Sequence, residues 1–374
     1  MSAPSYDAVI VGAGIVGAAC AFECAFAGLR VAVVESGPVA GGATAAGMGH
    51  IVAMDDSEAQ FALTHFSQTL WKDLAGILPD NCEYLETGTL WIAADTEELE
   101  DVRRKYRYYS ERGVSAEILN ERELAGLEPN LRPGLAGALF VAGDAVVYPP
   151  CVTAFLLERA RDRGAHLLVR CRVDRLDDSG VRLHDETVLC GDFLVNAAGS
   201  EAAKLTPQLS VLPRKGHLAI TDRYPGSVHH QLVELGYLKS AHQTTSDSVA
   251  FNVQPRKTGQ LLIGSSRQFS SVDSSIDSDI LSRMLGRAVE YIPALAPLSA
   301  IRIWTGFRAA TPDKLPLIGR VKDCRRVFAA TGHEGLGITT SLATARLLVD
   351  EILGRKSEIA RQPYQPTREM AAYA

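Results

Sequence analysis

The sequence predicts an α/β fold, in which a second, α+β domain built on an antiparallel sheet is inserted into a Rossmann-type dinucleotide-binding domain. Three observations carry this prediction. A strand, a glycine turn, a helix and a second strand follow one another at the N-terminus, and a strand, a glycine turn and a long helix recur at 326–353. Between them lie segments typical of antiparallel strands. The 374 residues also exceed the usual size of one hydrophobic core.

The N-terminal unit is the clearest of these elements. Residues 7–11, DAVIV, predict a buried parallel strand, and the helix that follows the turn extends to about Phe26. The segment RVAVVE at 30–35 predicts the second strand.

The turn GAGIVG within this unit predicts a site for a dinucleotide. Gly12 makes a tight turn, Gly14 lets the backbone approach a pyrophosphate, and Gly17 lets the helix pack closely on the sheet. The free N–H groups of the helix N-terminus then face the phosphates. Glu35 ends the second strand, where its carboxylate accepts hydrogen bonds from ribose hydroxyls.

Two further glycine-rich segments favour FAD over NAD. GGATAAGMG at 41–49 suits backbone approach along an extended cofactor, and TGHEGLGIT at 331–339 offers another glycine-rich helix start. An ordinary NAD-binding domain needs neither.

The remaining elements divide into two kinds. Residues 151–165 predict a helix, whereas 166–176 and 193–199 each predict a strand of the dinucleotide domain. Segments of antiparallel character are 82–95, 214–222, 230–240, 248–266 and 299–307. The predicted FAD-binding domain is therefore discontinuous, at 1–81, 145–213 and 308–374, and the predicted substrate-binding domain comprises 82–144 and 214–307.

Composition narrows the possible partners. A formal net charge of −6 argues against nucleic acid. The basic run RRKYR at 103–107 lies in a helix-like stretch rich in acidic residues, and we expect a solvated helix face rather than a site for an anionic partner.

Location is predicted from the cysteines and the apolar segments. Seven cysteines without a CxxC pair indicate reduced thiols in the cytoplasm, and no metal site is expected. The N-terminus lacks the basic region of a signal peptide. Glycines and Glu23 interrupt the apolar stretch 8–34, which argues against a transmembrane segment.

Arg308, in WTGFRAATPDKLPLIG, admits two interpretations from the residues alone. It lies either in a surface loop with a solvated guanidinium, or where its planar donors bind a substrate carboxylate.

The ordered motifs resemble those of the D-amino-acid-oxidase superfamily, which includes glycine oxidases, sarcosine oxidases and bacterial imino-acid dehydrogenases. The motifs are VIVGAGIVG…VAVVES, GGATAAGMG, VNAAG, FRAATPDKLPLIG and ATGHEGLGIT, and they extend over nearly the whole chain. The segment GMGHIVAMDD at 47–56 is similar to the branch that holds D-hydroxyproline dehydrogenases and the flavin subunits of opine- and cyanide-forming enzymes.

This resemblance implies roles for individual residues. Arg308 falls where the family keeps its carboxylate-binding arginine, and His50 and His333 are candidates to touch the substrate or tune the flavin, with a structural hydrogen bond as the alternative for each. The residues implied to bind FAD are Gly12, Gly14, Ile15, Val16, Gly17, Glu35, Ser36, Gly42, Ala43, Thr44, Ala46, Gly47, Met48, Val173, Ala198, Gly199, Gly332, Gly335, Leu336, Gly337, Ile338 and Thr339.

The resemblance also implies an activity. Gly306 stands where monomeric sarcosine oxidase has its flavin-linking cysteine, so non-covalent FAD is expected. The implied reaction is oxidation of the C–N bond of a small amino or imino acid, with D-hydroxyproline or D-proline preferred over glycine, sarcosine or acyclic D-amino acids. The electron acceptor is a dye, a quinone, a partner subunit or O2, and both homo- and hetero-oligomers stay open.

Overall fold

The computed structural model describes residues 6–236, 247–269 and 273–370. The α-helices in these residues are α1 (Ile15–Phe26), α2 (Glu58–Ala75), α3 (Thr96–Ser110), α4 (Glu121–Leu127), α5 (Pro149–Arg161), α6 (Ala202–Leu205), α7 (Ser278–Tyr291) and α8 (Gly337–Ile352). Short 3-10 helices occur at Asp80–Cys82, Gly199–Glu201, Pro293–Leu295 and Gln362–Tyr364.

The β-strands of the same residues are β1 (Tyr6–Val11), β2 (Val31–Glu35), β3 (His50–Ile51), β4 (Thr89–Ala93), β5 (Glu117–Asn120), β6 (Gly137–Val141), β7 (Ala145–Val146), β8 (His166–Val169), β9 (Val173–Asp177), β10 (Gly180–Leu183), β11 (Val188–Leu189), β12 (Gly191–Asn196), β13 (Leu212–Arg223), β14 (Gln231–Glu234), β15 (Ser248–Pro255), β16 (Gln260–Arg267), β17 (Ala300–Ala310), β18 (Leu317–Arg320) and β19 (Val327–Thr331).

The chain forms two compact units. Unit 1 contains the residues up to Cys82, Val147–Pro213 and the residues from Phe307 on, and unit 2 contains Glu83–Val146 and Arg214–Gly306. Each unit is therefore assembled from segments that are separate in the sequence.

Unit 1 is built on a six-stranded sheet with the order β18-β19-β12-β1-β2-β8. β12, β1, β2 and β8 run parallel to their neighbours, and β19 is parallel to β12, whereas β18 is antiparallel to β19. Apart from the partly buried Asp7 and Glu35, the central strands β1 and β2 are apolar or aromatic and buried, as parallel strands with two covered faces require.

The helices of unit 1 pack around α1. This helix contacts α5 and α8, and α2 contacts α8. The buried face of α1 contains small residues, among them Ala18, Ala19, Cys20 and Cys24, which allow close approach of neighbouring backbones. Because both cysteines are fully buried and lie in this packed face, they are packing residues.

Unit 2 contains most of an eight-stranded sheet with the order β17-β13-β16-β15-β14-β4-β6-β5. Most neighbours are antiparallel, and the pair β14–β4 is parallel. The apolar core of this unit lies on one face, where residues such as Leu90, Phe251 and Ile263 pack against Met284 and Tyr291 of α7.

One local expectation from the sequence is wrong, and a second is only partly right. The segment 166–176 is not one strand, because Arg170 adopts a left-handed conformation with φ 58° and separates β8 from β9. The basic run 103–107 is not wholly a solvated face, because Lys105 is only 4% exposed and its Nζ lies over the rings of Trp91 and Tyr109.

The predicted strand at 230–240 is described only in part. Its first residues form β14, and residues 237–240 lie outside the described residues. No helix among the described residues is both long enough and apolar enough to cross a membrane.

Candidate functional site

The first glycine turn joins β1 to α1 in a conformation that excludes larger side chains. Gly12 has φ 108°, and a Cβ added to it would lie 2.4 Å from the carbonyl oxygen of Ala197. A Cβ on Gly17 would lie 2.0 Å from the carbonyl oxygen of Gly12. Glycine is therefore required at both positions, by backbone conformation at Gly12 and by close packing at Gly17.

The N-terminus of α1 is suited to an anion. Gly14 is the N-cap and has no side chain to cap the helix, and the first turn contains no acidic residue. The N–H of Ile15 donates to Oγ1 of Thr44 at 3.0 Å. The first turn of α1 continues from Ile15 through Val16 and Gly17. Helix N-termini of this kind bind phosphate groups through their N–H groups and dipole.

The Glu35 carboxylate is held at the end of β2 beside this turn. Its Oε2 accepts a hydrogen bond from the N–H of Ala13 at 2.8 Å, and its Oε1 accepts from the N–H of Gly37 at 2.7 Å and from Oγ of Ser36 at 3.3 Å. A carboxylate has about four acceptor positions. Glu35 therefore keeps capacity for a ligand hydroxyl while its orientation is fixed by the backbone.

The second glycine-rich segment connects the first turn to α8. Thr44 is buried, and its Oγ1 is the acceptor for Ile15. A Cβ on Gly47 would lie 2.8 Å from Cδ1 of Ile338, near the start of α8. Met48 is buried, Ala46 is half-buried, and Gly42 and Ala43 are exposed.

The third glycine-rich segment leads into α8. Gly332 has φ 79°, and a Cβ there would lie 2.5 Å from Cγ2 of Thr311. Leu336 is the N-cap of α8, and a Cβ on Gly337 would lie 3.9 Å from Cγ2 of Val16 in α1. The helix starts of α1 and α8 therefore lie together within unit 1.

Contacts from Thr339 extend this region to β3 and α2. Its Oγ1 donates to the carbonyl of His50 at 2.8 Å, and its own carbonyl accepts from Nε1 of Trp71 at 2.9 Å. His50 is thus placed by its backbone beside the first turn of α8.

Arg308 lies beside the third segment. It is in β17 rather than in a loop, it is half-buried, and the carbonyl of the next residue, Ala309, accepts from the N–H of Glu334 at 2.8 Å. A Cβ on Gly335 would lie 3.6 Å from Nε of Arg308. The placement of Arg308 in a surface loop is therefore wrong, and its side chain lies against the glycine loop that opens α8.

The two histidines differ from each other. His333 is 6% exposed, and its Nε2 is 3.0 Å from Oγ1 of Thr344 in α8. Burial lowers the pKa of His333 to about 3, so its ring is neutral at ordinary pH. This position fits a structural hydrogen bond for His333, whereas His50 is half-buried at the edge of the glycine segments.

The remaining predicted cofactor residues lie near the ends of the same strands. The N–H of Cys171 donates to the carbonyl of Glu35, which brings Val173 at the start of β9 close to the end of β2. Ala198 lies against the Gly12 turn, and the carbonyl of Gly199 accepts from Oγ1 of Thr331 at 3.0 Å.

The sequence does not predict the ion pair between Arg368 and Asp313, five residues after Arg308. Arg368 binds both carboxylate oxygens of Asp313, at 2.7 and 2.9 Å, and also donates to the carbonyls of Leu315 and Pro316. It therefore fixes the Thr-Pro-Asp turn that follows β17. The only signal in the sequence was an arginine in a proline-rich tail, which is insufficient to identify a partner.

The three glycine segments and the end of β2 together fit a dinucleotide. Two helix starts without acidic residues in their first turns meet tight glycine turns and a fixed carboxylate. These are the groups that a pyrophosphate and a ribose require. No group of side chains suited to a metal ion occurs among the described residues.

Comparisons with known proteins agree with this chemistry. The family model described as FAD dependent oxidoreductase matches residues 7–351. Glycine oxidase from Geobacillus kaustophilus is 29% identical over 380 residues, which cover 98% of this chain and 97% of that protein. Hydrogen cyanide synthase subunit HcnC from Pseudomonas aeruginosa is 29% identical, covering 92% of this chain and 91% of that protein.

The fold agrees as well. The crystal structure of glycine oxidase from Geobacillus kaustophilus superposes with a TM-score of 0.88 at 27% sequence identity, covering 99% of this chain and 100% of that chain. The predicted fold class, a Rossmann-type domain with an inserted domain on an antiparallel sheet, is confirmed.

Proposed function

The chain belongs to the FAD-dependent oxidoreductase family, and we propose that it oxidises the C–N bond of a small amino or imino acid. FAD is therefore its cofactor, as the sequence predicts. The supporting evidence for the substrate class is the similarity to glycine oxidase together with the position of Arg308.

The position of Arg308 is the single observation that carries this proposal. Its guanidinium lies against Gly335, in the glycine loop that opens α8. The Thr-Pro-Asp turn that follows β17 is fixed by the ion pair between Asp313 and Arg368. A planar guanidinium held in this way binds a carboxylate through two parallel hydrogen bonds. The substrate is therefore an acid whose carboxylate is fixed next to the cofactor segments.

In this proposal, separate residues bind the cofactor and orient the substrate. The turn at Gly12–Gly17 and Glu35 hold the pyrophosphate and the ribose, and unit 1 acts as the FAD-binding domain. Bound FAD supplies a hydride acceptor. Arg308 orients the substrate, so that orientation and electrostatics provide most of the rate enhancement, and the chain needs no catalytic triad.

We further propose a cyclic imino acid, D-hydroxyproline or D-proline, as the substrate, with unit 2 as the substrate-binding domain. A ring nitrogen next to a fixed carboxylate leaves few rotors to freeze on binding. The segment 47–56, which contains the buried Met48 and the half-buried His50, supports this choice through its resemblance to imino-acid dehydrogenases.

A second candidate is a flavin subunit that works within a hetero-oligomer. The observation that favours it is the similarity to HcnC, which is a subunit of hydrogen cyanide synthase. Such a subunit differs from a self-sufficient dehydrogenase in needing its partner to turn over substrate.

The deciding experiment is anaerobic bleaching of the purified holoprotein with D-hydroxyproline, D-proline, L-proline, sarcosine, glycine and D-alanine. We expect the flavin absorbance to bleach fastest with the two D-imino acids. Steady-state kcat/KM with an artificial acceptor and with O2 then separates dehydrogenase from oxidase.

Two results would contradict the proposal. A tenfold preference for glycine or D-alanine assigns the protein to the primary-amine oxidases. Absence of bleaching with every substrate, restored only by added cell extract, favours the hetero-oligomeric subunit.

A further inference from the structure

A row of buried side chains on α2 makes polar contacts with backbone groups of unit 1. Thr64, Ser67 and Trp71, named here the α2 row, are each 0% exposed. Their spacing of three and then four residues places them on one face of the helix. α2 packs on α8 and also contacts β3. Both neighbours adjoin glycine-rich segments of the candidate site, at 331–339 and 41–49.

Two members of the row bind the two ends of one backbone hydrogen bond of α8. In an α-helix the N–H of Ala343 pairs with the carbonyl of Thr339, four residues earlier. Nε1 of Trp71 donates to that carbonyl at 2.9 Å, and Oγ of Ser67 accepts from that N–H at 3.3 Å. Ser67 and Trp71 are about one turn apart on α2, as Thr339 and Ala343 are on α8. Two contacts at this spacing fix the direction in which the first turn of α8 faces.

The third member of the row holds the chain that follows the second glycine-rich segment. Oγ1 of Thr64 accepts from the N–H of Met54 at 3.1 Å. At the other end of this stretch, Oγ1 of Thr339 donates to the carbonyl of His50 at 2.8 Å. Residues 50–54 are thus held by one hydroxyl of α2 and one of α8. The row therefore positions the start of α8 and the end of the second segment together.

The first turn of α8 is open to a ligand. Its N-cap, Leu336, has a side chain that cannot accept a hydrogen bond, and no acidic residue lies in the turn. The hydroxyls of Thr340 and Ser341 donate to the carbonyls of Leu336 and Ile338 within the same helix. The N–H groups of a helix start carry partial positive charge, which favours negative charge nearby. Because a flavin ring gains electron density when it is reduced, such a charge next to the ring raises its reduction potential.

We propose that Ser67 and Trp71 are positioning residues of the flavin site, which act through the first turn of α8. They set the affinity for FAD and the reduction potential of the bound flavin. This inference rests on the proposed function, in which unit 1 binds FAD, and on the predicted contact of the cofactor with the residues from Gly337 to Thr339. It gives α2, which contributes no residue to the predicted cofactor contacts, a role in tuning the cofactor.

The test compares Trp71→Phe holoenzyme with wild type. Phenylalanine keeps an aromatic ring in the core and removes the N–H that binds Thr339. We expect the FAD dissociation constant to rise roughly threefold to tenfold, the effect of one hydrogen bond. Anaerobic reduction against a reference dye gives the potential. It should become more negative by about 15–30 mV, which corresponds to a threefold to tenfold loss of affinity for reduced over oxidised flavin.

Trp91→Phe in β4 is the matched control. Trp91 is 2% exposed, and its Nε1 has no hydrogen-bond partner among the described residues. This variant removes the same N–H from a buried ring without deleting a hydrogen bond. Its FAD dissociation constant and its reduction potential should equal those of wild type.

Ser67→Ala is the second test variant, and it carries the inference if Trp71→Phe does not fold. It removes the contact with the N–H of Ala343 and should shift both quantities in the same direction as Trp71→Phe. Urea unfolding of each apoprotein separates a loss of stability from a change in the cofactor site.

The outcomes separate this inference from the proposed function. If Trp71→Phe and Ser67→Ala lower only the stability of the apoprotein and leave the potential unchanged, the α2 row is packing alone. The inference then fails while the proposed function stands. An equal shift in Trp91→Phe would also overturn it. If no amino or imino acid bleaches the wild-type flavin, the proposed activity fails, whereas a shifted potential in both α2 variants still supports the inference.

Discussion

The two units carry their polar groups in different ways. In unit 1, the turn after β1 satisfies its N–H groups nearby, since Ala13 donates to Glu35 and Ile15 to Thr44. In unit 2, the buried side chains of Thr89 and Gln231 lie on β4 and β14, and the hydrogen bond from Gln231 to Thr89 joins residues 142 positions apart. The difference indicates that the turn of unit 1 is fixed by contacts within one N-terminal segment, whereas the polar contact in unit 2 depends on strand pairing between distant residues.

The largest expected effect tests whether close packing of the first glycine turn in unit 1 is needed for flavin binding. Gly17→Ala places a Cβ 2.0 Å from the carbonyl oxygen of Gly12. We expect a destabilisation of about 3 kcal/mol, the upper range for overpacking, and loss of bound flavin. Flavin content after gel filtration and urea unfolding measure both. Gly76→Ala is the control, because nothing lies within 4 Å of its Cβ position, and normal flavin content in Gly17→Ala would refute the packing argument.

Arg308→Ala tests whether a side chain of unit 1 is dedicated to the substrate. The variant should keep its flavin and lose roughly 2–5 kcal/mol of transition-state binding, the cost of removing one partner of a buried charge pair. The expected fall in kcat/KM is at least about thirtyfold.

A conservative variant and an exposed control accompany the Arg308→Ala measurement. Arg308→Lys should recover only part of the activity, because an ammonium cannot form the two-pronged contact. Arg355→Ala, at an exposed position after α8, should behave as wild type. Near-normal kinetics in Arg308→Ala would remove the carboxylate role.

Glu35→Ala tests whether the Glu35 carboxylate, which the N–H of Ala13 orients, contributes to FAD affinity. Loss of hydrogen bonds to a charged group costs about 1.5–3 kcal/mol, so the FAD dissociation constant should rise roughly tenfold to a hundredfold. Fluorescence titration of the apoprotein gives this constant. The exposed Glu358→Ala variant serves as the control, and an unchanged affinity in Glu35→Ala would contradict the assignment of β2 as the ribose-binding strand.

The smallest expected effect concerns His333, whose pKa is lowered by burial to about 3. In the unfolded chain the pKa is about 6.5. The unfolded state therefore binds the extra proton as the pH falls below that value, and the free energy of unfolding decreases by about 1 kcal/mol between pH 6.5 and 5.5.

Urea unfolding of wild type and His333→Gln at several pH values checks this expectation. The variant should show a flatter pH dependence, since it lacks the titrating ring. An equal slope in both proteins would mean that His333 is protonated in the folded state.

The sequence was sufficient for elements whose signal is local. The turn from Gly12 to Gly17 and the strand end at Glu35 are contiguous with the strands that position them, so spacing alone indicates their geometry. Arg308 was recognised through its motif, but its position in β17 and its contact with Gly335 were not predictable from the residues alone.

Features that depend on distant partners were not predicted. The turn at Arg170 lacks a glycine, so nothing in the sequence marks the end of β8. The burial of Lys105 is not evident from its own segment, because its aromatic neighbour Trp91 belongs to another element. The hydrogen bond between Gln231 and Thr89 requires the register between β14 and β4, which single-sequence periodicity does not give.

The discontinuity of unit 1 has a consequence for the nascent chain. The buried face of α1 packs against α8, whose first residue, Gly337, is made long after Phe26. At about 5–20 residues per second, ribosomes need roughly 15–60 s to synthesise the intervening segment. During this interval the apolar helix after the first glycine turn lacks its partner, and the emerging polypeptide is a natural client for chaperones that shield exposed apolar surface.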